Sequence, residues 1–150
     1  GMVGFHAHNN LGVAVASSYV ALEAGASIVD GTTRGFGAGA GNCQLEAMVA
    51  LLQKNGMDTG VELYKLLDAG EKVINPIMKK PQGVDSISVV SGLAGVFSGF
   101  APHVKRVAEE FNVDPRDIFM ELGKRKVVAG QEDSIVDVAV ELAKNKREIV

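Results

Sequence analysis

The residue types best suited to chemistry stand almost at the start of the chain. In GMVGFHAHNNLG, His6 and His8 are spaced i, i+2 directly after a short apolar run. Alternate side chains of a β-strand point the same way, so both imidazoles would stand on one face at a strand's end. So placed, they can reach a single cation; the other reading is that one packs against a neighbour and the other faces water. A metal site needs at least one further ligand, and imidazole with carboxylate oxygen suits Mn, Fe or Zn better than Ca or Mg alone. A second feature is the loop GFGAGAGN, which formally matches the dinucleotide fingerprint at Gly35, Gly37 and Ala40. That fingerprint should follow its strand at once, whereas Gly-Thr-Thr-Arg intervenes, and no second strand with an acidic end follows. The loop precedes a helix, so its amides can approach either a ligand or a neighbouring strand. A third feature is Cys43, a lone thiol at a helix start with no evident histidine partner, which argues for packing over reactivity.

Two β-α units position these residues. Met2–His6 reads as a strand, and LGVAVASSYVALEAG as a helix closed by Gly25. That helix is apolar nearly all round, which predicts cover on more than one side. ASIVDG follows as a second strand with Ile28 and Val29 buried, and QLEAMVALLQKNG as a second helix ending at Gly56. Strands alternating with helices imply a parallel sheet with helical crossovers. Thr59–Glu62 has the pattern of a capping box, ahead of a stripe of Leu63, Leu66, Leu67, Val73, Ile74 and Ile77. NPIMKKPQGV ends that stripe and marks a boundary. Leu93, Val96, Phe97, Phe100, Val104, Val107 and Phe111 then predict a helix kinked at Pro102. Asp114-Pro115 supplies an N-cap and first-turn proline for a helix carrying Ile118, Phe119 and Leu122. A last helix from near Gln131 turns Ile135, Val138, Ala139 and Leu142 inward. The expected architecture is α/β for residues 1–83 and a bundle of about three helices for residues 84–150.

The 150 residues, 47% hydrophobic and 22% charged with a net charge of −3, have the composition of an ordinary soluble protein. Fifteen scattered Lys and Arg argue against nucleic acid, and the cluster Lys124-Arg125-Lys126 reads as a solvated helix end. One cysteine excludes an intrachain disulfide and suits a reducing cytoplasm; no apolar run is long enough to span a bilayer.

The order of the pieces is more specific than any one of them. GFHAHNNLG, then VDGTTRGFGAGAGNCQLE, then SGLAGVFSGF and AGQEDSIVDVAVELA resemble the 4-hydroxy-2-oxovalerate aldolases, within the TIM-barrel metal-dependent lyases and Claisen-type synthases. The first two motifs are shared across that superfamily, and the last two are narrower. The resemblance covers nearly the whole chain but only the C-terminal portion of such a protein. It implies the last two β-α units of a TIM barrel followed by an all-helical communication-type domain. It also implies that His6 and His8 bind a divalent metal, usually Mn²⁺, at the C-terminal end of a barrel strand. In related CoA lyases an asparagine closing the glycine loop approaches the metal, which corresponds to Asn42; a helix N-cap explains Asn42 equally well.

The family's reaction splits 4-hydroxy-2-oxovalerate into pyruvate and acetaldehyde, with the metal as Lewis acid and a base taking the 4-hydroxyl proton. Its helical tail docks an acylating acetaldehyde dehydrogenase. Two departures stand out. The family's third ligand, an aspartate on the first barrel strand, lies outside these residues, as do its arginine and histidine base. A full barrel needs roughly 250 residues, so the chain alone is expected to be inactive. The tail motif also reads AGVFS in place of AGVYS, so Phe97 keeps the ring but cannot donate a hydrogen bond. The alternatives are a segment of a Claisen-type synthase or lyase (isopropylmalate or homocitrate synthase, HMG-CoA lyase) and a non-catalytic helical interaction module. Unpaired strand edges and the apolar first helix further predict self-association.

Overall fold

The computed structural model describes residues 1–148, which form a first compact unit, Gly1–Val84, and a second beginning at Asp85. In the first, β1 (Gly4–Phe5) and β2 (Ile28–Val29) pair in parallel, Gly4 opposite Ile28 and Phe5 opposite Val29. Parallel strands need a crossover, here α1 (Ala14–Glu23). The Asn9 side chain accepts the Ala14 amide at 3.1 Å, satisfying a donor that Val13 cannot. After β2 the glycine-rich loop leads to α2 (Leu45–Lys54), and Ala7, Ala14, Cys43, Met48 and Leu52 form the core beneath.

Four expectations for this unit are corrected. Ile28 is 50% exposed, because strand alternation sends only Val29 into the α1–α2 core. The helix α1 buries one side, through Ala14 and Ser18, and exposes Val20. The Thr59–Glu62 capping box does not form: the Thr59 hydroxyl accepts the Val61 amide within a local turn, and α3 (Leu63–Ala69) starts only after Glu62. The stripe beyond it breaks phase, since α3 runs into a π-helical turn at Gly70–Ile74 and a 3₁₀ turn at Asn75–Ile77. The wider π turn shifts the phase of Val73 and Ile77, which are exposed, as is Leu67 on α3 before it.

Among the described residues the second unit has four α-helices where about three are expected. α4 (Ser86–Ala94) carries the capping box: Ser88 N donates to Asp85 Oδ1 and Asp85 N to Ser88 Oγ, both at 2.8 Å. Gly95, at φ +68°, ends it in the left-handed conformation. The helix expected across Leu93–Phe111 is therefore two, joined by a 3₁₀ turn at Ser98–Phe100. Pro102 lies in the first turn of α5 (Ala101–Phe111) and kinks nothing, because the amide it lacks has no helical partner there. α6 (Pro115–Lys124) starts at Asp114, whose carboxylate accepts the Arg116 amide at 2.8 Å. α7 (Asp133–Glu148) completes the bundle. Phe100, Val104, Ile118, Phe119, Leu122, Ile135 and Val138 fill the core, each 2% exposed or less.

α4 and α6 meet closely: a Cβ on Gly123 would lie 2.4 Å from the Ala94 carbonyl oxygen. The basic cluster is a solvated helix end, as its spacing predicts. Lys124 and Arg125 bind Glu121, holding its carboxyl below the usual range, and Arg125 also reaches Glu141. Among the described residues, no helix is long and apolar enough to cross a membrane.

Candidate functional site

The chain leaves β1 through His6, Ala7 and His8. Ala7 turns into the core at 5% exposure, so strand alternation leaves both imidazoles exposed on the opposite side. Their ring centroids are 5.0 Å apart, edge to face at 81°. The His6 Nδ1 donates to Asp30 Oδ1 at 2.5 Å, and Asp30 directly follows β2, its own amide bonded to the Phe5 carbonyl at 3.3 Å. With Nδ1 bound to a carboxylate the His6 ring is held in orientation, which is how ligating imidazoles are commonly set.

The glycine-rich loop closes over the same strand end. His8 and Asn42 form an isolated antiparallel bridge, Cys43 N donates to Ala7 O at 2.9 Å, and Asn9 N to Gly41 O at 2.8 Å. Within the loop, Gly35 N bonds Thr32 O, Asn42 N bonds Gly35 O at 3.0 Å, and Thr32 N bonds Cys43 O at 2.9 Å. The amides of Thr32, Gly35, Gly41, Asn42 and Cys43 are thus committed to the loop itself and the strand. Gly41 is fixed by steric contact, since a Cβ there would lie 2.1 Å from Gly35 O.

Asn42 is not a helix cap; the N-cap of α2 is Gln44, two residues on. Its Nδ2 donates to Phe36 O at 3.4 Å, while its Oδ1 is buried with no hydrogen-bond partner. A buried acceptor without a donor is destabilising unless something electropositive meets it. Two imidazoles and an orphaned amide oxygen gathered at one strand end fit a divalent ion in donor chemistry. Among the described residues no group of three His, Cys, Asp or Glu side chains is close enough to hold a metal by itself.

Two residues here escaped the sequence reading. Asp30 meets His6 across 24 positions, and its signal was an acidic residue at the end of a strand, in IVDG. Glu46, 3% exposed on α2, accepts the Arg34 amide with both oxygens, at 2.9 and 3.0 Å. Its signal was a charge on the inward side of α2, among Met48, Val49 and Leu52. Arg34 sits at φ +60°, a conformation that costs a non-glycine residue about 1–2 kcal/mol. Cys43 is fully buried; burial pushes its thiol up, the Ser18 hydroxyl pulls it down less, and Asp30 adds a smaller upward push. A buried, protonated thiol is a packing group. In the second unit, Phe97 is half exposed and packs edge to face on Phe100, centroids 5.7 Å apart.

Residues 1–73 match the family described as HMGL-like, and residues 82–144 match the DmpG-like communication domain. Proteins named 4-hydroxy-2-oxovalerate aldolase are similar throughout. The one from Pelotomaculum thermopropionicum is 57% identical over 99% of this chain and 43% of its own length. Those from Spirochaeta aurantia and Carboxydothermus hydrogenoformans are 58% and 56% identical, over 93% and 97% of this chain and 41% and 44% of theirs. The chain thus spans less than half the length of these curated relatives. The crystal structure of the N-terminal domain of an aldolase-like protein from Bacteroides vulgatus superposes with a TM-score of 0.61 at 28% identity, over 74% of this chain and 36% of that one. The parallel β-α segment is accordingly part of a TIM-barrel-type fold, and the bundle is a helical communication domain. The chain matches the HMGL-like family through its first 73 residues and a DmpG-like communication domain after them, and it corresponds to the C-terminal part of the proteins named 4-hydroxy-2-oxovalerate aldolase.

Proposed function

We propose that this chain is the C-terminal part of a divalent-metal-dependent carbon–carbon lyase that cleaves 4-hydroxy-2-oxovalerate to pyruvate and acetaldehyde. Residues 1–83 are the closing segment of its barrel and residues 84–150 its communication domain. The observation that carries the reading is the triad of donors at the end of β1: His6 and His8 side by side, with the orphaned Oδ1 of Asn42 on the residue bridged to His8. A divalent ion there, Mn²⁺ in this reading, would supply Lewis acidity to a bound 2-oxo acid. His6, His8 and Asn42 would hold it, and Asp30 fixes the orientation of the His6 ring through Nδ1. The buried Ala7 between the histidines and the loop bonds at Gly41 and Cys43 keep the two segments from drifting apart. The base that takes the 4-hydroxyl proton lies outside these residues, so the chain alone is expected to release no pyruvate. The match of the second unit to a communication domain favours this reading over a Claisen-type synthase or a CoA lyase.

The second unit docks an acylating acetaldehyde dehydrogenase. In support, α4 turns Ser88 and Ser91 inward while Val89 and Leu93, one turn apart, stay exposed, with Phe97 just beyond. Apolar side chains turned out where serines are turned in mark an interaction surface. The exposed Met2, Val3, Leu11, Val13, Val20 and Ile28 of the first unit support self-association of the isolated chain.

The test is calorimetric titration with Mn²⁺ and Zn²⁺ of the chain and of its His6→Ala, His8→Ala double variant. The chain binds and the double variant does not; protons compete for the imidazoles, so binding weakens on acidification. Equal binding by both would refute the ligand assignment.

A further inference from the structure

We propose that Glu46 is a positioning residue, whose buried carboxylate pins the glycine-rich loop in the shape that sets Asn42 against His8. The inference rests on the metal reading given above and concerns a residue with no part in the ligand set. Among the described residues Glu46 forms no ion pair, although it is 3% exposed; both its oxygens are spent on the single amide of Arg34. A buried carboxylate is costly unless its bonds return something specific. Here they hold two successive left-handed residues, Arg34 at φ +60° and Gly35 at φ +65°, of which only the second is glycine. That turn presents the Gly35 carbonyl to Asn42 N at 3.0 Å, and Asn42 is bridged to His8. Glu46, Arg34, Gly35, Asn42 and His8 thus form one bonded relay from α2 to the strand end.

Gly70 guards the relay from behind. A Cβ there would lie 2.5 Å from Glu46 Oε1. Gly70 has ordinary helical angles, φ −59° and ψ −46°, so alanine would be favoured there if only the backbone mattered. A glycine in the first turn after α3 leaves room for the carboxylate and for the Arg34 side chain beside it.

The experiment compares the chain with Glu46→Gln, Gly70→Ala and the His6→Ala, His8→Ala double variant. Amide hydrogen exchange is followed by residue and Mn²⁺ affinity by calorimetry. Glu46→Gln keeps volume and one acceptor but loses the charge and sets an NH₂ group against the Arg34 amide. It should speed exchange at Arg34, Asn42 and Cys43 at least tenfold, leave the α1 and α2 amides unchanged, and weaken Mn²⁺ binding by about tenfold, the size of other effects behind a ligand. Gly70→Ala, which displaces the carboxylate without removing it, should reproduce both effects, giving a second route if Glu46→Gln does not fold. The double histidine variant should lose Mn²⁺ with loop exchange intact. Wild-type loop exchange in both Glu46→Gln and Gly70→Ala, or faster exchange with unchanged Mn²⁺ affinity, would overturn the proposal. Absence of Mn²⁺ binding by the parent chain would refute the metal reading instead, and loop exchange alone would then decide whether Glu46 is the clamp.

Discussion

Gly123→Ala gives a sharp test of how the communication domain is built, because two effects of known sign oppose each other there. Alanine exceeds glycine in helix propensity by about 1 kcal/mol, so in open space the substitution would stabilise α6. At Gly123 the new Cβ would lie 2.4 Å from the Ala94 carbonyl oxygen and 2.9 Å from the Ala94 Cβ. Ordinary carbon–oxygen approaches are about 3.3–3.6 Å, so α4 must retreat by about 1 Å. Both atoms belong to a helix backbone or its first side-chain atom, and neither can swing aside. Overpacking costs about 1–3 kcal/mol, and against two atoms that cannot swing aside the upper part of that range, about 2–3 kcal/mol, leaves a net loss of about 1–2 kcal/mol after the propensity gain. For a unit of this size each kcal/mol lowers Tm by about 4–8 °C, so a fall of about 5–15 °C is expected. The chain has no tryptophan, and its two tyrosines, Tyr19 and Tyr64, lie in the first unit. Tyrosine fluorescence therefore follows that unit, while far-UV circular dichroism follows helices of both. The dichroism transition should shift down and the tyrosine transition stay. Gly83→Ala, whose Cβ would meet nothing within 4 Å, is the control and should change stability by less than about 0.5 kcal/mol. A Gly123→Ala chain as stable as the parent, or more so, would refute the close α4–α6 approach.

Other outcomes follow from the same contacts. Asp30→Asn removes the carboxylate that orients His6 and should weaken divalent-metal binding by about 10–100-fold, read by calorimetry, with the fold unchanged by circular dichroism. Asp114 is held at about 2 by the Arg116 side chain and amide, below its ordinary 3.8. A depressed acid stabilises the fold above its unfolded value and loses that contribution as pH falls through the folded one. The α6 contribution should thus be complete above about pH 4 and fade toward pH 2. Asp114→Asn should flatten that part of the acid unfolding curve, and salt should shrink the difference because the pair is partly exposed. Leu93→Lys, at a position 69% exposed, should leave Tm within about 1–2 °C and abolish capture of the acylating acetaldehyde dehydrogenase in a pull-down.

What the sequence made legible was local. The strand-end geometry of His6 and His8 follows from alternation alone, with small, apolar Ala7 as the inward residue between them. The start of α6 was written in Asp114-Pro115, and its inward face in the spacing of Ile118, Phe119 and Leu122. Non-local facts were not legible. No spacing rule joins His6 to Asp30 across 24 residues or Arg34 to Glu46 across 12. Helical periodicity also carried straight through Gly95, because Leu93, Val96 and Phe97 suit one helix as well as the end of one and the start of the next; only the left-handed φ of Gly95 breaks the tie. Ile28 reads as buried from its type, but burial depends on a second layer, and its face of the strand pair has none within this unit. Asn42 illustrates the same limit, since a cap and a loop residue two positions earlier look alike until the N-cap is fixed at Gln44.

The central claim, that His6 and His8 ligate one divalent ion, is tested most directly by pulsed electron paramagnetic resonance on the Mn²⁺-loaded chain. Echo modulation from ¹⁴N reports nitrogen bound to the metal. Modulation from two imidazoles is expected, reduced to one in either His6→Ala or His8→Ala and absent in the double variant. Mn²⁺ bound with no nitrogen modulation, or with modulation that survives the double substitution, would contradict it.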